Sequence, residues 1–271
     1  MNTQPISDDL TSMPKAASVA KQSSALNKVV ILGATSGIAL EVERQLAQRG
    51  CELLLVARSQ QRLAALESDL RLRGARQVLA YSADLSAIAH HAAIFDFVRR
   101  SFSGYDTVLL AYGSMHEQKE SEASVDTLLE EINVNYVSAA AILTLFAADL
   151  EQRGTGCIAA ITSVAGDRGR RSNYIYGSAK GALSLYLQGL RGRLHPAGVK
   201  VITIKPGPVQ TPMTDPMPNA ARFADPKLVA HDIVRALDQR RPDVLYTPKI
   251  WRYVMAAVEH VPEPIFKRLS F

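Results

Sequence analysis

The chain is short of cysteine, of long apolar runs and of charge of one sign. Two cysteines in 271 residues, Cys51 and Cys157, exclude a disulfide framework and a four-cysteine zinc site. No metal site is expected, and free thiols suit a cytosolic protein. The longest uncharged apolar stretch, Ile132 to Ala148, is interrupted by Asn133, Asn135 and Ser138. It falls short of the about 20 apolar residues that a spanning helix needs. The first 27 residues lack the apolar segment of a secretory signal. Rich in Ser, Ala, Gln and Thr, they read as a mobile leader. No repeat of solenoid period occurs. The formal charge of +5 is too small to imply nucleic-acid binding. It is also uneven: residues 166–205 carry +7 and the remainder −2.

What is present is ordinary globular composition, 47% hydrophobic and 21% charged. The length suits one α/β domain. Apolar, β-rich runs at Lys28–Ala34, Leu53–Ala57, Val78–Ser82, Thr107–Tyr112, Cys157–Thr162, Val199–Ile204 and Val244–Thr247 predict seven strands buried on both faces. Between them, 37–49, 59–73, 87–102, 122–152, 174–194 and 226–239 predict helices. The alternation implies right-handed βαβ crossovers. The expected fold is therefore α/β, a single doubly wound Rossmann-type domain with a mainly parallel sheet over 28–249. A C-terminal amphipathic extension, 250–271, follows. Residues 206–225 contain five prolines, at 206, 208, 212, 216 and 218, and predict a binding loop at a strand's carboxyl end.

The first strand runs into Gly33-Ala34-Thr35-Ser36-Gly37-Ile38-Ala39. Glycines there allow a tight turn and close approach of a pyrophosphate, and the next helix aims its free N–H groups at the phosphates. The second strand ends Ala57-Arg58-Ser59 without the acid that would accept the ribose diol. A guanidinium is instead suited to a 2′-phosphate, which favours NADP(H) over NAD(H). Tyr176 and Lys180 stand four apart on one helical face. A neighbouring ammonium can bring a phenol toward the range useful for proton transfer. Ser163 ends a strand thirteen residues before Tyr176, and Asn135 is an amide in an otherwise apolar helical run.

These motifs resemble the short-chain dehydrogenase/reductase family, whose fingerprint is Thr-Gly-x-x-x-Gly-x-Gly. The chain has Leu32 for the threonine and Ala39 for the last glycine. The usual Asn-Asn-Ala-Gly is Leu110-Ala111-Tyr112-Gly113. The resemblance implies a catalytic set of Asn135, Ser163, Tyr176 and Lys180. Tyr176 would be the general acid and Ser163 the carbonyl donor, with Asn135 ordering a proton relay. It implies cofactor contacts from Gly33, Thr35, Ser36, Gly37, Ile38, Arg58, Asp84, Leu85, Ala111, Gly113, Tyr176 and Lys180. Pro206, Gly207, Val209 and Thr211 match the nicotinamide-side loop.

Two segments, Gly166–Ser178 and Trp251–Leu269, are also similar to reductase subunits of decaprenylphosphoryl-β-D-ribose 2′-epimerases. That resemblance implies a polyprenylphosphoryl 2-keto-pentose substrate, a flavin-dependent oxidase partner and a cell-wall role. A phosphate would suit Arg168, Arg170 and Arg171, which lie between Ser163 and Tyr176, and Met213 is a further candidate substrate contact. The C-terminal run would suit packing over the pocket or peripheral contact with the inner face of a membrane. A homodimer or homotetramer is expected. Another ketone, such as a 3-oxoacyl or secondary-metabolite carbonyl, satisfies the catalytic motifs equally. A cofactor-sensing regulator would need the cradle but not the proton donor.

Overall fold

The computed structural model describes residues 26–217 and 219–269. The first 25 residues of the expected leader lie outside this range. Leu26 is buried against the core, and the Asn27 and Lys28 backbone N–H groups donate to Asp106 Oδ2 at 2.9 and 2.8 Å.

Seven strands form the sheet: β1 (Lys28–Leu32), β2 (Glu52–Ala57), β3 (Gln77–Ser82), β4 (Thr107–Leu110), β5 (Cys157–Ile161), β6 (Lys200–Pro206) and β7 (Val244–Thr247). Their order is β3-β2-β1-β4-β5-β6-β7, and every pairing is parallel. The strands are apolar throughout because both faces are covered. On β1, Val29 and Ile31 join the cluster beneath α1 (Gly37–Gln48), α2 (Gln60–Leu72) and α8 (Pro226–Gln239). Val30 and Leu32 join the opposite cluster, beneath α3 (His91–Ser101), α6 (Ser138–Arg153) and α7 (Tyr174–Leu194).

The periodicity over 122–152 resolves into more than one helix. A short α4 (Gln118–Ala123) ends where Ser124 turns extended (φ −137°, ψ 116°). The Ser124 hydroxyl accepts from Thr127 N at 3.2 Å and starts α5 (Val125–Ile132). A π-helical turn, Asn133–Val137, joins α5 to α6. The continuous helix over 125–153 is long and apolar enough to cross a membrane by composition. Here Ile142, Leu143, Phe146 and Leu150 are fully buried in the core beside the sheet. After β7 the chain forms α9 (Ile250–Glu259) and α10 (Glu263–Phe266).

Crossovers leave β1 in opposite directions, toward β2 and toward β4 by way of β3. The carboxyl ends of β1 and β4 therefore flank the topological switch point, where ligands of open α/β sheets bind.

Candidate active site

A cavity of about 900 Å³ opens at that crevice. Gly33, Thr35, Ser36, Gly37 and Ile38 line it from the β1–α1 turn, and Arg58, Asp84 and Leu85 from the ends of β2 and β3. Ala111 and Gly113 follow β4, and Pro206, Gly207, Val209 and Thr211 follow β6. Gly33 has φ +94°, and a Cβ there would fall 2.6 Å from Tyr112 Cβ. Only glycine fits that turn without displacing the β4 loop. Ser36 caps α1, its Oγ accepting from Ala39 N at 3.3 Å. The helix thus begins at the cavity wall with its positive end toward it, a cradle suited to a pyrophosphate.

Arg58 is exposed at the cavity edge. A second guanidinium, Arg62, also lines the cavity and donates to Thr35 O at 3.0 Å. Sequence reasoning passed over Arg62 because one helical turn on a charged α2 gives it the pattern of a solvated residue. Asp84 accepts from Ser86 N at 2.9 Å and Ser86 Oγ at 2.7 Å. Burial opposes its ionisation, but these hydrogen bonds and the charges of Arg58 and His90 keep its carboxyl below the ordinary range.

Ser163, Tyr176 and Lys180 line the same cavity. Ser163 follows β5, and Tyr176 lies in the first turn of α7 with Lys180 one turn later. Lys180 Nζ sits 5.8 Å from the Tyr176 ring centroid and donates to Ile161 O at 3.3 Å. Burial pushes the Tyr176 phenol up to about 12; a hydrogen bond with Ser163 works downward and the Glu131 charge upward. Burial also pulls the Lys180 ammonium down to about 8. Both groups are therefore biased toward their neutral forms, and an anion placed beside the lysine would restore its charge.

Asn135 is fully buried in the π-helical turn, behind the cavity wall. Its Nδ2 donates to Ser114 O at 2.8 Å and Glu131 O at 2.9 Å, and its Oδ1 accepts from Ser114 N at 3.2 Å. The amide thus fastens the loop after β4 to the helix. A Cβ on Gly113 would lie 2.6 Å from Asn135 Oδ1 and 3.0 Å from Lys180 Nζ, so glycine lets both approach that loop. Tyr112 adds a hydroxyl contact to Ser138 Oγ at 3.0 Å.

The three arginines expected at a substrate phosphate separate. Arg170 lines the cavity, as does Met213. Arg171 is exposed and does not line it. Arg168 turns toward the C-terminal extension. It donates to Val258 O at 2.5 Å, Val261 O at 2.7 Å and Glu263 Oε2 at 3.0 Å, and stacks 3.7 Å from the Phe266 ring centroid. The phosphate contact expected of Arg168 is thereby corrected: its donors hold the carbonyls that end α9. Trp251 of α9 lines the cavity, and a Cβ on Gly207 would fall 1.9 Å from Trp251 Nε1. His116 lines it too. Trp251 belongs to the C-terminal run expected to pack over the pocket, whereas His116, in the loop after β4, stands in no motif of the sequence.

The short chain dehydrogenase family model matches residues 27–221. An uncharacterized oxidoreductase of Mycobacterium tuberculosis is 32% identical over 241 residues, covering 89% of this chain and 96% of the relative. An uncharacterized oxidoreductase of Streptomyces coelicolor is 33% identical over 258 residues, covering 95% of this chain and 99% of the relative. Among solved structures, a short-chain dehydrogenase from Sphingobium yanoikuyae in complex with NADPH superposes with a TM-score of 0.76 at 25% identity, covering 88% of this chain and 97% of that one. L-sorbose reductase from Gluconobacter frateurii shares the fold, with a TM-score of 0.73 at 23% identity over 82% of this chain and 94% of that one. With a phosphate cradle and a Ser-Tyr-Lys cluster on one cavity, and a family match over most of its length, this chain belongs to the short-chain dehydrogenases, NAD(P)-dependent oxidoreductases.

Proposed function

We propose that the protein reduces a ketone to a secondary alcohol with NADPH. The observation that carries this reading is the half-buried Tyr176 with buried Lys180 one turn on, beside Ser163, on the cavity that also holds the glycine cradle. The β1–α1 turn fits the dinucleotide pyrophosphate, and Gly113, Lys180 and the loop after β6 fit the nicotinamide half. Arg58 and Arg62 fit a ribose phosphate, since the end of β2 supplies guanidinium groups and no acid. The Sphingobium yanoikuyae relative, in complex with NADPH, supports the same preference.

The bound nicotinamide supplies the hydride. The chain supplies the rest. Ser163 Oγ–H donates to the substrate carbonyl oxygen and orients it toward Tyr176. Tyr176 holds its proton at neutral pH as an ordinary phenol does, and burial reinforces this. As charge develops on the carbonyl oxygen, the phenol releases that proton to it. The Lys180 ammonium stabilises the phenolate left behind, and the low-dielectric site strengthens that attraction. Asn135 holds the Ser114 loop, which fixes the wall facing Lys180. In the reverse direction the same groups accept the proton from an alcohol.

The two segments that resemble the lipid-linked keto-pentose reductases meet each other through Arg168, Val258, Val261 and Phe266. That contact makes the two segments a clamp on the extension rather than a phosphate site, so the substrate is proposed at the level of a ketone. The test is NADPH consumption at 340 nm with a panel of ketones, with the alcohol product quantified. One alcohol formed per NADPH consumed supports the reading. Tight NADPH binding without consumption by any ketone would favour the cofactor-sensing alternative.

A further inference from the structure

Three residues lining the cavity carry a buried polar atom with no hydrogen-bond partner among the described residues: Arg170 Nε, His116 Nε2 and Asn173 Oδ1. All three belong to the loops after β4 and β5, on the side of the crevice away from the β1–α1 cradle. The Arg170 side chain makes no ion pair or hydrogen bond within the described residues. Asp167, three residues earlier, acts on it only through space, its carboxylate being bonded to Lys205 and to Tyr246 Oη, the latter at 3.0 Å. Asn173 occupies the N-cap position of α7 but caps nothing; its side chain lines the cavity instead. The three side chains are half-buried, but a buried polar atom left unpaired is costly, so such atoms are ordinarily satisfied by protein, water or ligand.

We infer that the ketone substrate carries an acidic group, a carboxylate or phosphate ester, received by Arg170, together with a hydroxyl or N–H that donates to Asn173. This rests on the reductase reading and narrows its substrate class. Arg170 and His116 supply donors, and a guanidinium fork fits the paired oxygens of either acid. The cofactor's own phosphates are served by the cradle at the other end of the crevice, which leaves the anion to the substrate. Met213, Met217, Phe223 and Trp251 line the same cavity and give the rest of the substrate an apolar surface.

Trp251 is the chain's single tryptophan and lines the cavity, so its fluorescence reports ligand binding without turnover. The experiment titrates the protein saturated with NADP+, which has no hydride to transfer, with matched pairs: keto acids against their methyl esters, and keto-sugar phosphates against the free keto-sugars. The kcat/KM of each pair is measured alongside. The wild type is expected to prefer the charged member of one pair set, and which set identifies carboxylate or phosphate. Arg170→Gln is expected to reduce that preference by about ten- to a hundredfold, since hydrogen bonds to charged groups are stronger than neutral ones. Arg170→Lys should restore part of it, and thermal unfolding verifies that both variants fold. Equal binding of charged and neutral members, a preference unchanged in Arg170→Gln, or binding of no member would overturn the inference. Charge-selective binding lost in Arg170→Gln, but without NADPH consumption, would support the inference while refuting the reductase reading.

Discussion

The two sides of the crevice are finished to different degrees. Around the β1–β3 ends, lining groups are held by the chain itself: Ser36 caps α1, Asp84 accepts twice from Ser86, and Arg62 donates to Thr35 O. Across the crevice, Arg170, His116 and Asn173 keep buried polar atoms without partners among the described residues. The first side is built around a ligand of fixed chemistry and can be rigid before it arrives. The second holds its donors and acceptor for a ligand that must complete it. Tyr176 and Lys180, both lining the cavity, stand between the two sides.

The sharpest way to break this division is at Lys180, which should serve both sides. Lys180→Met should lower kcat by at least about 10²-fold, the lower end of what general acid catalysis contributes. The pH profile gives the sign. With Lys180 held down at about 8, its charge fades as pH rises past that value, and support for the phenolate fades with it. Wild-type reduction should therefore fall as pH rises through about 8, and Lys180→Met should lack that limb. A variant that keeps the limb would place the titrating group elsewhere.

A second prediction concerns the cofactor side, where one buried group is not satisfied. Both carboxyl oxygens of Glu43 on α1 are buried without partners among the described residues, outside the cavity lining. Burial raises its pKa well above the ordinary value, with Arg44 opposing weakly. The native state thus prefers the protonated carboxyl. Its stabilising protonation is fully present below the unfolded pKa and is lost as pH rises toward the folded one. Glu43→Leu should raise stability at neutral to alkaline pH by roughly 1–3 kcal/mol, the usual penalty of an unsatisfied buried group. It should also flatten the decline of Tm between the two pKa values. An equal loss of Tm at all pH values would mean that Glu43 packs productively as it stands.

The smallest effect is expected at Arg58. Arg58→Ala should weaken NADPH by about tenfold or more, on the strength of a charge-assisted hydrogen bond, and leave NADH nearly unchanged. Titration of both cofactors checks it. Equal losses would assign Arg58 to the adenine pocket or the fold, and would remove the contrast between a phosphate-reading cofactor side and an anion-reading substrate side.

The legibility of the sequence follows the same division. The strands could be read because burial on both faces makes each a continuous apolar run, and a mainly parallel sheet follows from their alternation with helices, whereas the strand order does not. The cradle and the Ser163–Tyr176–Lys180 spacing are local along the chain, so their residues were visible as motifs. The π-helical turn at Asn133–Val137 was not, because apolar residues continue across it, and α4, whose sequence is QKESEA, carries no apolar stripe to announce it before the break at Ser124. Arg168 shows why the substrate side was harder. Its place between Ser163 and Tyr176 suggested the pocket mouth, but its guanidinium holds carbonyls some ninety residues onward. Trp251 reaches Gly207 in the same long-range way. Such contacts depend on where α9 docks, and nothing in the spacing of 166–178 encodes that.

The central claim is that Tyr176 delivers the proton in a ketone reduction. The most direct test is Tyr176→Phe, assayed in parallel for NADPH binding and for alcohol formed per unit time. The ring still packs and the cradle is untouched, so NADPH affinity should stay within a few-fold of wild type while kcat falls by about 10²–10⁴. Near-wild-type alcohol formation by a correctly folded Tyr176→Phe protein would contradict the account.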